Sequence, residues 1–275
     1  MFIPDARKAE KITELRRQIA DFGAVSGSVE EAETGPQVID LGTSGMAAML
    51  SGGGLACGAL HEVRASDYRD MSASISFAAA LAVLCARTFP GAPILWCEGS
   101  QSPFDVGRLY GPGLAAFGLD PARLILVSPS SAVDLLWTME EALRLGVFAA
   151  VIGEIDGRAA ALTLTATRRL HLAAEASGRP ALLLTGHSSA GTSATATRWC
   201  VTSSPSRTLS NNASLVGRIG WRIRLERCRA SQTGTLTAAS DRAWRVEWDA
   251  HTQRLCDVPD INSAAVLPQP LSQTG

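Results

Sequence analysis

Three acids stand where short apolar runs end: Glu98 closes PILWCE, and Glu154 with Asp156 follow VFAAVIG. Acids at the ends of sheet strands can polarise a water or hold magnesium for phosphoryl transfer. They can equally cap helices or face solvent. The choice turns on whether anything nearby holds phosphate. A phosphate cradle needs glycines, whose N–H groups converge on the anion, and a lysine ammonium to neutralise it. The only lysines are Lys8 and Lys11, and no glycine lies between Gly58 and Gly91. The connection Arg64 to Met71, where the cradle would sit, instead brings Asp67 and Asp70, offset by Arg64 and Arg69. Nucleotide hydrolysis of the P-loop kind is therefore not expected, nor is any cofactor, and the acids read as turn and cap residues.

Other reactive side chains give weaker patterns. His61 and Glu62 are neighbours on an apolar run, so as strand residues they point to opposite faces and cannot form a catalytic pair. Ser66, Ser128 and Ser130 lack the GxSxG elbow of a serine hydrolase. His171 and His187 have no partner at metal-ligand spacing. The six cysteines, Cys57, Cys85, Cys97, Cys200, Cys228 and Cys256, form no CxxC pair. They are expected to be reduced and mostly buried, with neither a metal site nor a disulfide framework.

Charge is distributed unevenly behind a net value of -1 over 275 residues. Residues 198–256 hold ten arginines and four acids, a segment charge of +6. Within it, Arg222, Arg224, Arg227 and Arg229 together with Trp221 are candidates to grip phosphates and stack bases of single-stranded DNA. The competing expectation is a solvated strand face with Trp221 in the core.

The elements that must carry these residues follow from periodicity. Asp5 to Phe22 has the spacing of an amphipathic helix, and Ser26 to Pro36 reads as a linker, so residues 1–36 form one unit. Strands are predicted over Gly58–Val63, Pro93–Cys97, Leu124–Val127, Val147–Gly153 and Ala181–Thr185. Helices are predicted over Ser72–Thr88, Ser131–Leu145 and Ala160–Ser177. This alternation predicts an α/β fold with a mostly parallel sheet covered on both faces, the apolar Ser72–Thr88 helix lying centrally. Arg198–Thr202 can form a further strand. Two alternating runs follow, Trp221/Ile223/Leu225 against Arg222/Arg224/Glu226, then Trp244/Val246/Trp248 against Arg245/Glu247. They predict an antiparallel hairpin with one buried face. The main domain is placed at 37–257, with a disordered Pro-, Gln- and Ser-rich tail over 258–275. No run reaches the roughly 18 uncharged residues a membrane span needs, and the first residues lack a signal peptide's apolar block. A cytoplasmic protein without membrane contact is expected.

The ordered blocks GGGLACGALHEV (Gly52 to Val63), PILWCEGS (Pro93 to Ser100) and YGPGLAAFGLDPARLILVSP (Tyr110 to Pro129) resemble the ImuA family of bacterial mutagenesis proteins. So do ALTLTATRRLHLAAEASGRPALLL (Ala161 to Leu184), TRWCVTSSPS (Thr197 to Ser206) and RVEWD (Arg245 to Asp249). The resemblance implies a RecA-like fold with a degenerate P-loop, related to RecA and to the cell-division inhibitor SulA. In that comparison Glu98 matches RecA's catalytic glutamate and Gly153 stands at the Walker B aspartate. His187 to Thr197 falls near RecA's second DNA-contacting loop, here with no Arg or Lys before Arg198. The implied role is that of a non-catalytic accessory protein in SOS-induced translesion synthesis. Its implied partners are an ImuB-type polymerase homologue, an error-prone DnaE-type polymerase and RecA itself. Two alternatives remain: a SulA-like inhibitor of cell division, and a divergent RecA- or KaiC-like ATPase in which Arg64 or Arg69 replaces the lysine.

Overall fold

The computed structural model describes residues 37–99, 104–188, 191–206, 217–229 and 243–258. The N-terminal helix and linker expected over 1–36, and the tail from Pro259, lie outside them. Val258, which the sequence assigns to the tail, is buried at 7% and donates its N–H to the Arg245 carbonyl.

A short antiparallel pair, β1 (Val38–Ile39) and β2 (Leu55–Ala56), flanks the one-turn helix α1 (Ser44–Ala47) and precedes the main sheet. The alternation then runs β3 (Leu60–Ala65), α2 (Met71–Thr88), β4 (Ile94–Cys97), α3 (Gly111–Phe117), β5 (Leu124–Val127), α4 (Ala132–Leu145), β6 (Ala150–Glu154), α5 (Leu164–Ser177), β7 (Ala181–Leu184) and β8 (Thr197–Ser204). Three more strands close the described chain: β9 (Gly220–Cys228), β10 (Ala243–Asp249) and β11 (Arg254–Asp257). Together β3 to β11 make one nine-stranded sheet in the order β11-β10-β9-β8-β3-β7-β6-β4-β5. From β5 across to β8 every pairing is parallel; from β8 outward every pairing is antiparallel.

Several predicted limits move by a few residues for local reasons. Gly146 takes a left-handed φ of 67° and ends α4, so Val147 to Ala149 cross back to the sheet and β6 starts only at Ala150. Thr163, whose hydroxyl accepts from Ala166 N–H, caps α5 and delays its start to Leu164. β11 and the β1–β2 pair were not predicted.

Helix α2 fills the groove on one face. Phe77, Leu81, Val83 and Leu84 are buried against β3, β4, β6, β7 and β8 and also against Trp221 and Trp244 of the antiparallel strands. By length and hydropathy alone α2 could cross a membrane, yet 67% of its apolar window is buried inside the fold. Helices α4 and α5 cover the opposite face over β4, β6, β7 and β3, with Leu135, Met139, Leu143 and Leu170 inward. Among the described residues no helix covers that second face beyond β3, where β8 to β11 lie.

Candidate functional site

The carboxyl ends of β3, β4, β6 and β7 meet at one edge of the sheet, where ligands of parallel α/β folds bind. The first question is what occupies the start of α2. A helix N-terminus carries partial positive charge and unpaired N–H groups, so it attracts an anion. Here Asp70, the residue before α2, is 7% exposed, and its carboxylate makes no capping bond to the helix N–H groups but turns to β8 instead. Its Oδ1 accepts from the Ser203 N–H at 2.8 Å and the Ser203 hydroxyl at 2.7 Å. The turn before it is equally closed. Asp67 accepts from Arg69 N–H at 3.0 Å, and the backbone N–H groups of Ala65 and Ser66 donate to Gly186 and Val201 carbonyls. Tyr68 donates to Asp105 at 2.9 Å and its ring meets His187 edge-on at 5.8 Å.

Arg64, one of the two residues that could have replaced a lysine, points elsewhere. It reaches across β8 to form a two-pronged ion pair with Glu226 on β9, Nε to Oε2 at 2.7 Å and Nη2 to Oε1 at 2.5 Å. Its hydrogen bond to Glu226 raises the guanidinium's affinity for its proton, and the pair holds Glu226 below the usual carboxylate range despite burial. Arg69 is exposed.

The acids at the strand ends have internal partners. Glu98 is 5% exposed and accepts from Arg108 Nη2 at 2.8 Å and from Leu109 N–H at 3.0 Å. Glu154, 6% exposed, accepts from the Trp96 indole at 2.9 Å and from Gly99 N–H at 2.8 Å. Burial pushes the Glu154 carboxyl up to about 7, against the lowering effect of those two donors and with a small upward push from Glu98. Gly153, which the resemblance sets at the Walker B aspartate, turns toward α4: a Cβ there would lie 2.3 Å from Met139 Sδ and 3.0 Å from Leu135 Cδ2. An aspartate at this position would enter the core instead of facing magnesium. The hollow beside these acids holds about 280 Å³ and is lined by Glu98, Ser130, Ser131, Glu154 and Asp156. Among the described residues no three His, Cys, Asp or Glu side chains gather to hold a metal ion.

His61 and Glu62 do point to opposite faces. His61 donates through Nε2 to the Ala56 carbonyl and accepts through Nδ1 from Thr197, whose oxygen in turn accepts from the Trp199 indole. Burial takes the His61 imidazole down to about 4, so it is neutral in this core. Glu62, 1% exposed, pairs with Arg198 at 2.8 Å and accepts from Thr185 and Ser193. Ser130 hydrogen-bonds Asp134, and His171 Nδ1 accepts from Leu60 N–H. All six cysteines are free thiols; five are buried, and burial pushes Cys57 up to about 11.

The arginine-rich strand separates into two groups. Arg227 donates to the Ser193 carbonyl at 2.6 Å, and Arg229 to the Ala194 and Ser193 carbonyls at 3.3 and 3.4 Å, so both fasten the segment before β8. Arg222 is exposed and Arg224 is half-exposed beside Glu226. Trp221 corrects an expectation: it is 0% exposed, donates to Ser76 Oγ at 3.1 Å and packs edge-on against Phe77. It is a core residue and cannot stack on a base. Sequence reasoning missed Arg108 and the Asp70–Ser203 clasp, whose partners lie far apart in the chain or on an unpredicted turn.

No family model matches the sequence. A KaiC-like protein from the hyperthermophilic archaeon Pyrococcus horikoshii OT3 superposes with a TM-score of 0.51 at 13% identity, over 82% of this chain and 100% of that one. That likeness, with the parallel sheet between its helices, shows a RecA-like fold. Protein ImuA from two strains of Caulobacter vibrioides, NA1000/CB15N and ATCC 19089, is 30% identical over 208 residues, covering 72% of this chain and 81% of each relative. On that similarity, and in agreement with the sequence blocks above, the chain belongs to the ImuA family.

Proposed function

We propose that this protein is a non-catalytic accessory factor of DNA-damage-induced, error-prone translesion synthesis, acting in the cytoplasm through protein contacts. Its partners in this reading are an ImuB-type polymerase homologue, a DnaE-type polymerase assembly and RecA. The observation that carries the non-catalytic part is Asp70: a buried carboxylate fixed to Ser203 stands beside the start of α2, next to where a triphosphate would have to sit. A triphosphate placed there would meet that charge, with no lysine among the described residues to compensate it. Arg64 supports the same reading, since reaching a phosphate would strip Glu226 of its two-pronged partner. Membership of the ImuA family supports the translesion role.

The test is purified full-length protein in two assays. Equilibrium dialysis with magnesium and ATP should give no saturable binding, and a tagged chain should retain an ImuB-type partner co-expressed with it. Saturable ATP binding abolished by Arg69→Ala would overturn the non-catalytic reading. Failure to retain any polymerase component would overturn the adaptor role.

A further inference from the structure

On the sheet face that α4 and α5 leave uncovered, three arginines from two neighbouring strands form one surface. Arg222 and Arg245 are direct cross-strand partners in the β9–β10 register, and Arg224 lies two residues along β9 on the same face. Strand geometry sets them about 5 Å apart across the sheet and about 7 Å along it. Like charges directly opposite one another oppose strand pairing, so the sheet holds an arrangement that an external anion would relieve. The neighbouring Glu226 does not fill that role, being taken by the two-pronged contact from Arg64 as well as by Arg224. Among the described residues Arg222 makes no ion pair, and Arg245 donates to the Pro205 carbonyl alone. Thr202, the other cross-strand neighbour of Arg222, adds a hydroxyl to the row.

We propose that this face, Arg222, Arg224 and Arg245, binds the phosphate backbone of single-stranded DNA. Guanidinium forks match phosphate oxygens in geometry as well as charge. A compact group of three cations engages one phosphate track. A twisted sheet favours a strand flexible enough to follow it over a duplex stiff for about 150 base pairs. With Trp221 in the core, the face holds no exposed aromatic platform among the described residues, so binding reads charge and not base identity. The site differs from the sequence expectation in both directions: it gains Arg245 and loses Trp221, Arg227 and Arg229. It goes beyond the adaptor reading, which rests on ATP and protein partners and stands or falls without it.

The test is fluorescence anisotropy of the full chain with labelled oligo-dT and oligo-dA of equal length, across salt. Three phosphate contacts predict a log–log salt slope of about -2, or roughly 20-fold weaker binding between 50 and 200 mM salt. Arg222→Gln with Arg245→Gln should cut the slope to about -0.7 and weaken binding at 50 mM salt. The same variant should melt no earlier than the parent, because it relieves the apposed charges. The two homopolymers should bind alike. An unchanged slope in the double variant would overturn the proposal. So would tighter binding to duplex of the same length, or equal competition by polyglutamate of matched charge. The co-purification experiment is scored separately, so loss of DNA binding with partner retained would sink this inference alone.

Discussion

Replacing Glu154 with glutamine makes stability depend on pH in a way that reports the burial of this acid. In the folded chain the carboxyl is raised from 4.5 to about 7, chiefly by desolvation. A raised carboxyl contributes stability that is full below its unfolded value and is lost as pH rises through the folded one. At about 1.4 kcal/mol per pH unit, ionising Glu154 in place costs the parent about 3 kcal/mol between pH 4.5 and pH 8. Glutamine removes that loss but turns an NH₂ toward the Trp96 indole or the Gly99 N–H, a penalty of about 1–3 kcal/mol that does not change with pH. His61 acts with the opposite sign. Its folded value of about 4 lies below 6.5, so its contribution is present above 6.5 and is lost as pH falls toward 4. His61 is common to both proteins, so it cancels in their difference. Urea unfolding of parent and Glu154→Gln at several pH values from 4.5 to 8 should give a stability difference that moves in the variant's favour by about 3 kcal/mol. A difference independent of pH would refute the assignment of a desolvated acid at the end of β6.

Three further outcomes follow from the same geometry. Gly153→Asp, which puts an acid where the resemblance sets the Walker B aspartate, should lower stability by at least about 1–3 kcal/mol through collision with Met139. It should give no magnesium-dependent ATP turnover, read by thermal melts and phosphate release. Asp70→Ala should cost about 1–3 kcal/mol in urea unfolding, because the Ser203 N–H and hydroxyl lose their acceptor. Trp221→Ala should cost about 3–5 kcal/mol, whereas a base-stacking residue on the surface would leave the unfolding midpoint almost unmoved.

The parallel half of the fold was legible because each strand from β3 to β7 is a short apolar run bounded by helical spacing, and Leu124–Val127 was placed to the residue. The hairpin was legible too: alternation over Trp221, Ile223 and Leu225 correctly divided β9 into a buried and a solvated side. The same alternation put Trp221 on the buried side, where it meets Phe77, and so already weighed against its stacking on DNA. Strand β11 escaped because only Leu255 among its four residues is buried, too little for a period to register. At the candidate site, the missing lysine and glycines were plain in the sequence. The contacts made around that turn were not, because Asp70 meets Ser203 across 133 positions and Arg64 meets Glu226 across 162. Pairing at such distances is decided by strand order, which no local pattern carries.

The clasp between Asp70 and Ser203 joins the first turn of the central helix to the strand where the sheet changes from parallel to antiparallel. Because that tie runs from helix to sheet, any shift of the helix start must carry the strand at the parallel-to-antiparallel boundary with it or break both bonds.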